Sequence, residues 1–247
     1  VEGPGPALAW LEEFLAPQFP VIRGSDPDRT IRFSIDAREH AELLARGPHS
    51  DADPIACFTL DTNILSAARW NAPDESPLAF DEVSGLFYRL PSRAPQVVEA
   101  VAAEDVGSAR VGLMRIVREF AMMYAAQAGW LLVHGAAVQV GDSAIVIAGP
   151  KRGGKTTLLL HALLHEGGAY ISNDRVAIRL EGAQAFVHGI PTIVSLRKDA
   201  TAWFPVLKAS LARGRYDFRL LLRECQTPSS PAPVDHPSKW SLSPSQL

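Results

Sequence analysis

The sequence predicts an α/β protein, with a mixed sheet built around one strand–loop–helix unit and a small β-rich domain before it. Three observations lead to this prediction. A β-branched apolar stretch runs directly into the glycine-rich segment 149–156, and an apolar helical pattern follows it. Further strand-like stretches lie on both sides of this unit. The first 107 residues instead carry short strand-like runs separated by Pro and Asp clusters.

Composition limits the classes of protein to consider. The chain has 247 residues, 47% of them hydrophobic and 21% charged, which is ordinary for a globular protein. Its net charge of -3 provides no general basic field, so we expect no nucleic-acid partner. No apolar run reaches membrane-spanning length, so we expect no membrane partner. Two cysteines, Cys57 and Cys225, are too few for a disulfide scaffold, and we expect buried thiols in a reducing cytoplasm.

The region 1–107 is predicted to be a small accessory domain. A short helix is expected near its start, at 10–15, and ends before Pro17. Three segments have strand character: 30–35, 57–60 and 85–90. No catalytic constellation is visible in this region.

The core is predicted at 108–225 and begins with a long amphipathic helix over 108–128. Ser108 is a candidate N-cap, and Gly129 is placed where a glycine commonly ends a helix. Its apolar residues recur at helical spacing: Leu113, Val117, Phe120 and Tyr124.

A hairpin and several further elements are predicted after this helix. Gly141-Asp142 is a tight-turn signal between two apolar, β-branched stretches. The strands are expected at 131–140, 143–148, 169–173, 176–180, 185–189 and 192–196, and the helices at 155–166 and 199–213. The region 226–247 is rich in Pro and Ser with little periodicity, so it is interpreted as a tail that wraps the surface.

Residues 149–156, G-P-K-R-G-G-K-T, fit the P-loop pattern G-x-x-x-x-G-K-[ST] at every position. Glycines allow successive backbone N–H groups to converge on an anion, and the start of the next helix adds its positive dipole end. Lys155 would reach the β- and γ-phosphates, and Thr156 would offer a hydroxyl to Mg²⁺. We therefore predict ATP and Mg²⁺ as cofactors; the alternative is a glycine-rich turn that binds nothing. The predicted nucleotide-binding residues are Gly149, Lys151, Arg152, Gly153, Gly154, Lys155, Thr156 and Thr157.

Asp174 follows a predicted strand just after the P-loop helix. We expect that strand to lie beside the strand 143–148, with the carboxylate of Asp174 near the γ-phosphate. Asp174 could bind Mg²⁺ or accept the proton of an attacking hydroxyl. The alternative is a turn residue, because Asn-Asp is a common turn pair.

Three histidines need separate interpretations. His134 lies in an apolar strand beside Gly135, which permits a close backbone approach. On spacing alone, His134 is either a core histidine or a residue of the site. His161 and His165 are four residues apart on the P-loop helix, a spacing that can bind metal, but no third ligand accompanies them. We therefore expect both of them to face solvent.

Three motifs in this order resemble the HPr kinase/phosphorylase superfamily, whose nucleotide fold is like that of PEP carboxykinase. They are LLVHGAAV, AIVIAGPKRGGKTT and YISNDRVAI, within roughly residues 108–200. The resemblance implies a P-loop core of the PEP-carboxykinase/HPr-kinase type with a mixed sheet. It also implies that His134 is the active-site histidine and Asp174 the acid/base group, with Lys155 and Thr156 as the P-loop lysine and hydroxyl.

Two departures separate the chain from true HPr kinases. Asn173 stands where that family has a first acidic residue, and segment 186–189 lacks the family's metal-binding Glu. The resemblance is therefore nearer to the HPr-kinase-like biosynthetic serine kinases. Arg175 and Arg197 are candidates for stabilising charge on the transferring phosphoryl group, with surface ion pairing as the alternative. His188 is a weaker candidate for the site.

The expected function is phosphoryl transfer from ATP to a hydroxyl, and the expected acceptor is a serine of a peptide or protein. Catalytic roles are expected for Asp174, His134 and Lys155, and metal binding for Thr156 and Asp174. The alternatives are a small-metabolite kinase, an ATPase or nucleotide-dependent switch without an acceptor, and a nucleotide-binding scaffold that has lost its chemistry. Relatives of this kind are often multimeric, so a homo-oligomer is a further expectation, although no coiled-coil heptad supports it.

Overall fold

The computed structural model describes residues 1–16, 18–20, 24, 29–46, 53–58, 64–71, 77–81, 84–89, 97–197, 203–205 and 239–242. Over these residues the protein is mixed α/β, as the sequence predicts. Cys225 and most of the predicted helix 199–213 lie outside the described residues, as does the side chain of Cys57. The chain divides into two compact units. The first contains the described residues among 1–11 and 22–114, and the second those among 12–21, 115–220 and 234–247.

The first unit is built on a six-stranded sheet in the order β1-β6-β5-β4-β3-β2. Strands β1 and β6 are parallel, and the other neighbours are antiparallel. Its core includes Leu43, Leu78, Phe87 and Val101. Helix α1 (Gly5–Leu15) begins in this unit and continues into the second from Glu12. The other elements are β1 (Thr30–Ile35), α2 (Ala37–Arg46), β2 (Asp53–Phe58), β3 (Ile64–Asn71), β4 (Pro77–Asp81), β5 (Leu86–Arg89) and β6 (Val97–Ala102).

The predicted strand at 30–35 is confirmed, and the strands at 57–60 and 85–90 overlap β2 and β5. Helix α2 was missing from the sequence prediction. It begins after Asp36, whose Oδ1 accepts hydrogen bonds from the backbone N–H groups of Arg38 and Glu39 at 2.9 Å each. An aspartate in this position satisfies donors that the first helical turn leaves unpaired.

Helix α3 (Gly107–Gln127) matches the predicted helix and crosses from the first unit into the second. It ends before Gly129, whose φ of +79° favours glycine, so the prediction for Gly129 is confirmed. The N-cap prediction for Ser108 is wrong, because the helix already includes Gly107 and Ser108 lies in its first turn.

The second unit is built on a five-stranded sheet in the order β11-β10-β7-β8, with β9 also paired to β7. The predicted hairpin is confirmed, with Gly141 at φ +57° in its turn. The elements are β7 (Leu131–Val140), β8 (Ser143–Ala148), α4 (Lys155–His165), β9 (Ala169–Ser172), β10 (Arg175–Glu181), β11 (Gln184–Gly189), β12 (Val194–Arg197) and β13 (Lys239–Leu242).

Helix α4 packs on one face of this sheet through Leu159 and Ala162, which lie against Ala136 and Val138 of β7. His134 shares that face, because side chains two residues apart on a strand point the same way. A Cβ on Gly168 would lie 2.7 Å from Val138 Cγ2, so the chain after α4 needs glycine to return to the sheet. No described helix is long and apolar enough to cross a membrane.

Two expectations about the second unit are wrong. Strand β9 does not lie beside β8, because β7 stands between them and pairs with both. Part of the predicted tail is a strand, since residues 239–242 form β13 and pair antiparallel with β12. Both pairings join segments distant in sequence, so local periodicity gave no sign of them.

Candidate functional site

The loop of the P-loop motif joins the end of β8 to the start of α4. Gly154 precedes α4 in the left-handed conformation (φ 76°), and no side chain caps the helix start. Arg152 also has a positive φ of 67°, which is uncommon for a residue with a Cβ. The first N–H groups of α4 are therefore not bonded to a capping side chain, and the positive end of the helix dipole faces the loop.

Lys155 folds back over this loop. Its Nζ donates hydrogen bonds to the carbonyl oxygens of Gly149 at 2.8 Å and Pro150 at 3.0 Å. Among the described residues, neither Lys155 nor Arg152 makes an ion pair with a carboxylate. Thr156 is half-buried and Thr157 is exposed. Positive charge is thus concentrated at the loop, which carries Lys151, Arg152 and Lys155 within five residues.

Gly135 of β7 lies between the P-loop and the Asn-Asp segment. It pairs with Ala148, the last residue of β8, and its N–H donates to the carbonyl of Asp174 at 3.1 Å. A Cβ at Gly135 would lie 2.9 Å from the carbonyl oxygen of Ile147, so the close backbone approach predicted there is confirmed. Since β8 and β9 are both antiparallel to β7, they run parallel to each other. Their carboxyl ends, which lead to Gly149 and Asn173, meet at the same end of the sheet.

His134, Asp174 and Arg175 form one contact group at this end of the sheet. Arg175 donates from Nη1 to His134 Nδ1 at 2.6 Å, and His134 Nδ1 lies 3.1 Å from Asp174 Oδ1. Arg175 Nε is 3.8 Å from Asp174 Oδ2. The side chain of His134 is 57% exposed, so it is not a core histidine. Nδ1 can accept from Arg175 when unprotonated or donate to Asp174 when protonated.

The turn that carries Asp174 is held by two further side chains. Ser172, which is fully buried, donates from its hydroxyl to the carbonyl of Arg175 at 2.6 Å. Tyr170 donates from its hydroxyl to Asn173 Oδ1 at 2.7 Å. Burial raises the pKa of the Tyr170 phenol, so it is protonated near neutral pH. Sequence reasoning missed both side chains; a hydroxyl one or three residues before the Asn-Asp pair is the only local signal of these bonds.

The weaker candidates lie on other strands. Arg197 is exposed at the end of β12. His188 lies on β11 near Phe19 and Trp130, with ring centroids 5.1 and 6.5 Å away. Burial lowers the pKa of His188, and its buried Nε2 has no hydrogen-bond partner among the residues that the structure describes.

The histidine pair on α4 is exposed, as predicted. His161 and His165 have ring centroids 4.8 Å apart, and His161 Nε2 is 3.6 Å from Glu166 Oε1. Within the part of the chain that the structure describes, no group of three or more His, Cys, Asp or Glu residues could hold a metal ion. A metal at this pair would therefore lack a third protein ligand there.

A loop that carries cations and an uncapped helix start thus lie at the same end of the sheet as a carboxylate–imidazole–guanidinium group. Such a pairing can bind an anion and place a proton acceptor beside it. Comparison with protein-family models, with curated proteins and with solved structures finds no match for this chain.

Proposed function

We propose that this protein is an ATP-dependent kinase that transfers the γ-phosphoryl group to a hydroxyl, with a serine of a peptide or protein as the acceptor. One observation carries the proposal. A loop that fits the P-loop pattern at every position lies at the same end of the sheet as the Asp174–His134 pair. That combination supplies both parts of phosphoryl transfer, an anion cradle and a proton acceptor.

The loop and Lys155 would bind the triphosphate. The Nζ donors that now contact the carbonyls of Gly149 and Pro150 would turn to the β- and γ-phosphate oxygens. Lys151 and Arg152 are exposed on the same loop and add positive charge at its rim. The loop would bind only the triphosphate and would not contact the base. Selection among nucleotide bases is therefore left to other residues.

Thr156 and Asp174 are the residues that would hold Mg²⁺. Two protein oxygens suit this ion, which commonly keeps several waters and takes further ligands from substrate phosphates. When bound, the ion would neutralise charge on the phosphate oxygens.

The chemical step needs one proton acceptor. The acceptor hydroxyl oxygen bonds to the γ-phosphorus while the bond to the β–γ bridging oxygen breaks, and the hydroxyl proton passes to Asp174. His134 contacts Asp174 through Nδ1 and orients the carboxylate. Arg175 lies beside both and offsets negative charge as it moves onto the leaving diphosphate.

Transfer of label from γ-labelled ATP tests the proposal. The purified protein is incubated with Mg²⁺ and serine-containing peptides, and the wild type is compared with Lys155→Ala. Arg38→Ala is the matched control, because it removes a cation that is 90% exposed on α2 in the first unit. We expect label on a peptide serine with the wild type and Arg38→Ala, and loss of that label with Lys155→Ala.

Other outcomes point to the alternatives. Phosphate release without any labelled acceptor would favour an ATPase. Label on a small metabolite would keep the kinase and change its acceptor. Tight ATP binding with no turnover at all would identify a scaffold and overturn the proposal.

A further inference from the structure

The hydroxyl of Tyr170 is tied to the side-chain amide of Asn173, one residue before Asp174. Tyr170 packs against both core clusters of the second unit, one containing Leu159 and the other Leu160. Its ring position is therefore set by the core and not by the turn that follows. Because the Tyr170 hydroxyl donates to Asn173 Oδ1 at 2.7 Å, the fixed ring also restrains the side chain of Asn173 in the turn.

This hydrogen bond determines the orientation of the Asn173 side-chain amide, with Oδ1 and not Nδ2 toward Tyr170. The buried phenol has a single proton, and its raised pKa keeps that proton on the oxygen at neutral pH. With Oδ1 toward Tyr170, the proton has its acceptor. If the amide were reversed, the buried hydroxyl would face Nδ2 and lose the one acceptor that the described residues give it, which is costly.

The amide nitrogen, Nδ2, is thereby left for a ligand. No described residue makes a hydrogen bond with Asn173 Nδ2, and Asn173 is only half-buried. Asp174, the next residue, offers carboxylate oxygens toward His134 and Arg175. The two neighbouring side chains thus offer opposite chemistry, a fixed N–H donor and a proton acceptor.

We propose that Asn173 Nδ2 donates a hydrogen bond to an oxygen of the transferring phosphoryl group, and that Tyr170 is the positioning residue that orients it. This inference rests on the proposed kinase function and specifies how the same site recognises the phosphoryl group. A second carboxylate at position 173 would repel that group; a neutral amide attracts it. Asn173 would then contact substrate, whereas Tyr170 would act only through Asn173.

A double-mutant cycle on turnover separates orientation from packing. We expect Tyr170→Phe to lower kcat about tenfold while KM for ATP changes less than about twofold, because the lost contact belongs to the transferring group. Asn173→Asp should lower kcat by at least about tenfold. In the Asn173→Asp background the two carboxylate oxygens are equivalent, so adding Tyr170→Phe should cost less than about a further twofold.

If Tyr170 acted only by stabilising the fold, the kcat values of the double-mutant cycle would follow a different pattern. If Tyr170→Phe lowers kcat by the same factor in both backgrounds, the tyrosine stabilises the fold and does not orient the amide, and the inference is overturned. Tyr88→Phe is the matched control, because it removes a tyrosine hydroxyl that contacts Ser84 at 3.4 Å in the first unit. It should leave kcat unchanged.

Nuclear magnetic resonance gives a readout that does not need turnover. The side-chain amide signals of Asn173 are assigned by their loss in Asn173→Asp. We expect Mg·ATP to shift these signals in the wild type, and to shift them less in Tyr170→Phe. If Mg·ATP binds but leaves them in place, the inference fails while nucleotide binding stands. If Mg·ATP neither binds nor turns over, the proposed function itself fails, and the inference with it.

Discussion

The first sheet and the loop of the second unit differ in how their cations are paired. In the first unit, Arg32 and Arg89 each lie 3.1 Å from a carboxylate oxygen of Glu99, and Arg89 also reaches Glu39 at 3.4 Å. In the second unit, Lys155 donates to backbone carbonyls, and among the described residues no carboxylate pairs with it.

This difference separates charges that serve the fold from charges that serve a ligand. Exposed ion pairs contribute only about 0–1 kcal/mol each, so the pairs of the first unit are a modest addition to stability. Neighbouring cations repel one another, which opposes folding. The clustering of Lys151, Arg152 and Lys155 on the loop is explained if an anion binds there. The predictions below test this contrast, beginning with the largest effect.

Asp174→Asn should break the chemistry of the second unit while leaving nucleotide binding intact. Loss of the proton acceptor should lower kcat by about 10²–10⁴-fold, since a positioned acid or base contributes an effect of that size. The Kd of ATP without Mg²⁺ should change little, because the loop and Lys155 hold the phosphates; calorimetry in the absence of Mg²⁺ measures it beside the kinetics. Unchanged turnover would remove the proton-acceptor role from Asp174.

His134→Ala should have a smaller effect on the same step. Loss of the contact at Nδ1 leaves the Asp174 carboxylate less well oriented, and we expect kcat to fall about tenfold. His134→Asn places a polar atom near the position of Nδ1 and should recover part of the rate. If both variants are equally impaired, the contribution of His134 does not come from Nδ1.

Glu99→Gln should affect stability and leave catalysis alone. It weakens two ion pairs on the first sheet, whose side chains are about one-third to one-half exposed, so we expect a loss of about 1 kcal/mol of unfolding free energy. Urea unfolding measures that loss, and kcat should match the wild type. A large loss of kcat with little loss of stability would contradict the idea that the ion pairs of the first sheet serve the fold and not the reaction.

The smallest expected effect is the pH dependence due to His188. Burial lowers the pKa of this imidazole in the folded protein, so the unfolded chain binds its proton more readily. The stabilising contribution is present above the unfolded pKa of about 6.5 and is lost as pH falls below it. We expect His188→Phe to flatten the dependence of unfolding free energy on pH between about 7 and 5. An unchanged slope would show that His188 does not titrate differently on folding.

Short sequence patterns predicted those features that depend only on residues close together in the sequence. The loop with Lys155, the hairpin at Gly141 and the helix ending before Gly129 are each encoded within a few neighbouring residues. Pairing partners are not encoded in this way, so the separation of β8 from β9 by β7 was not foreseen. The hydrogen bond between Tyr170 and Asn173 was missed for the same reason, because it depends on how the core positions an aromatic ring.

Calorimetric titration of Mg·ATP into the wild type and Lys155→Ala tests the central claim most directly, because it asks whether the cations of the loop bind a polyphosphate. The account predicts that the wild type binds Mg·ATP and that Lys155→Ala binds it at least about tenfold more weakly, whereas Arg32→Ala in the first unit binds as the wild type does. Equal binding by wild type and Lys155→Ala, or no binding by either, would contradict the account.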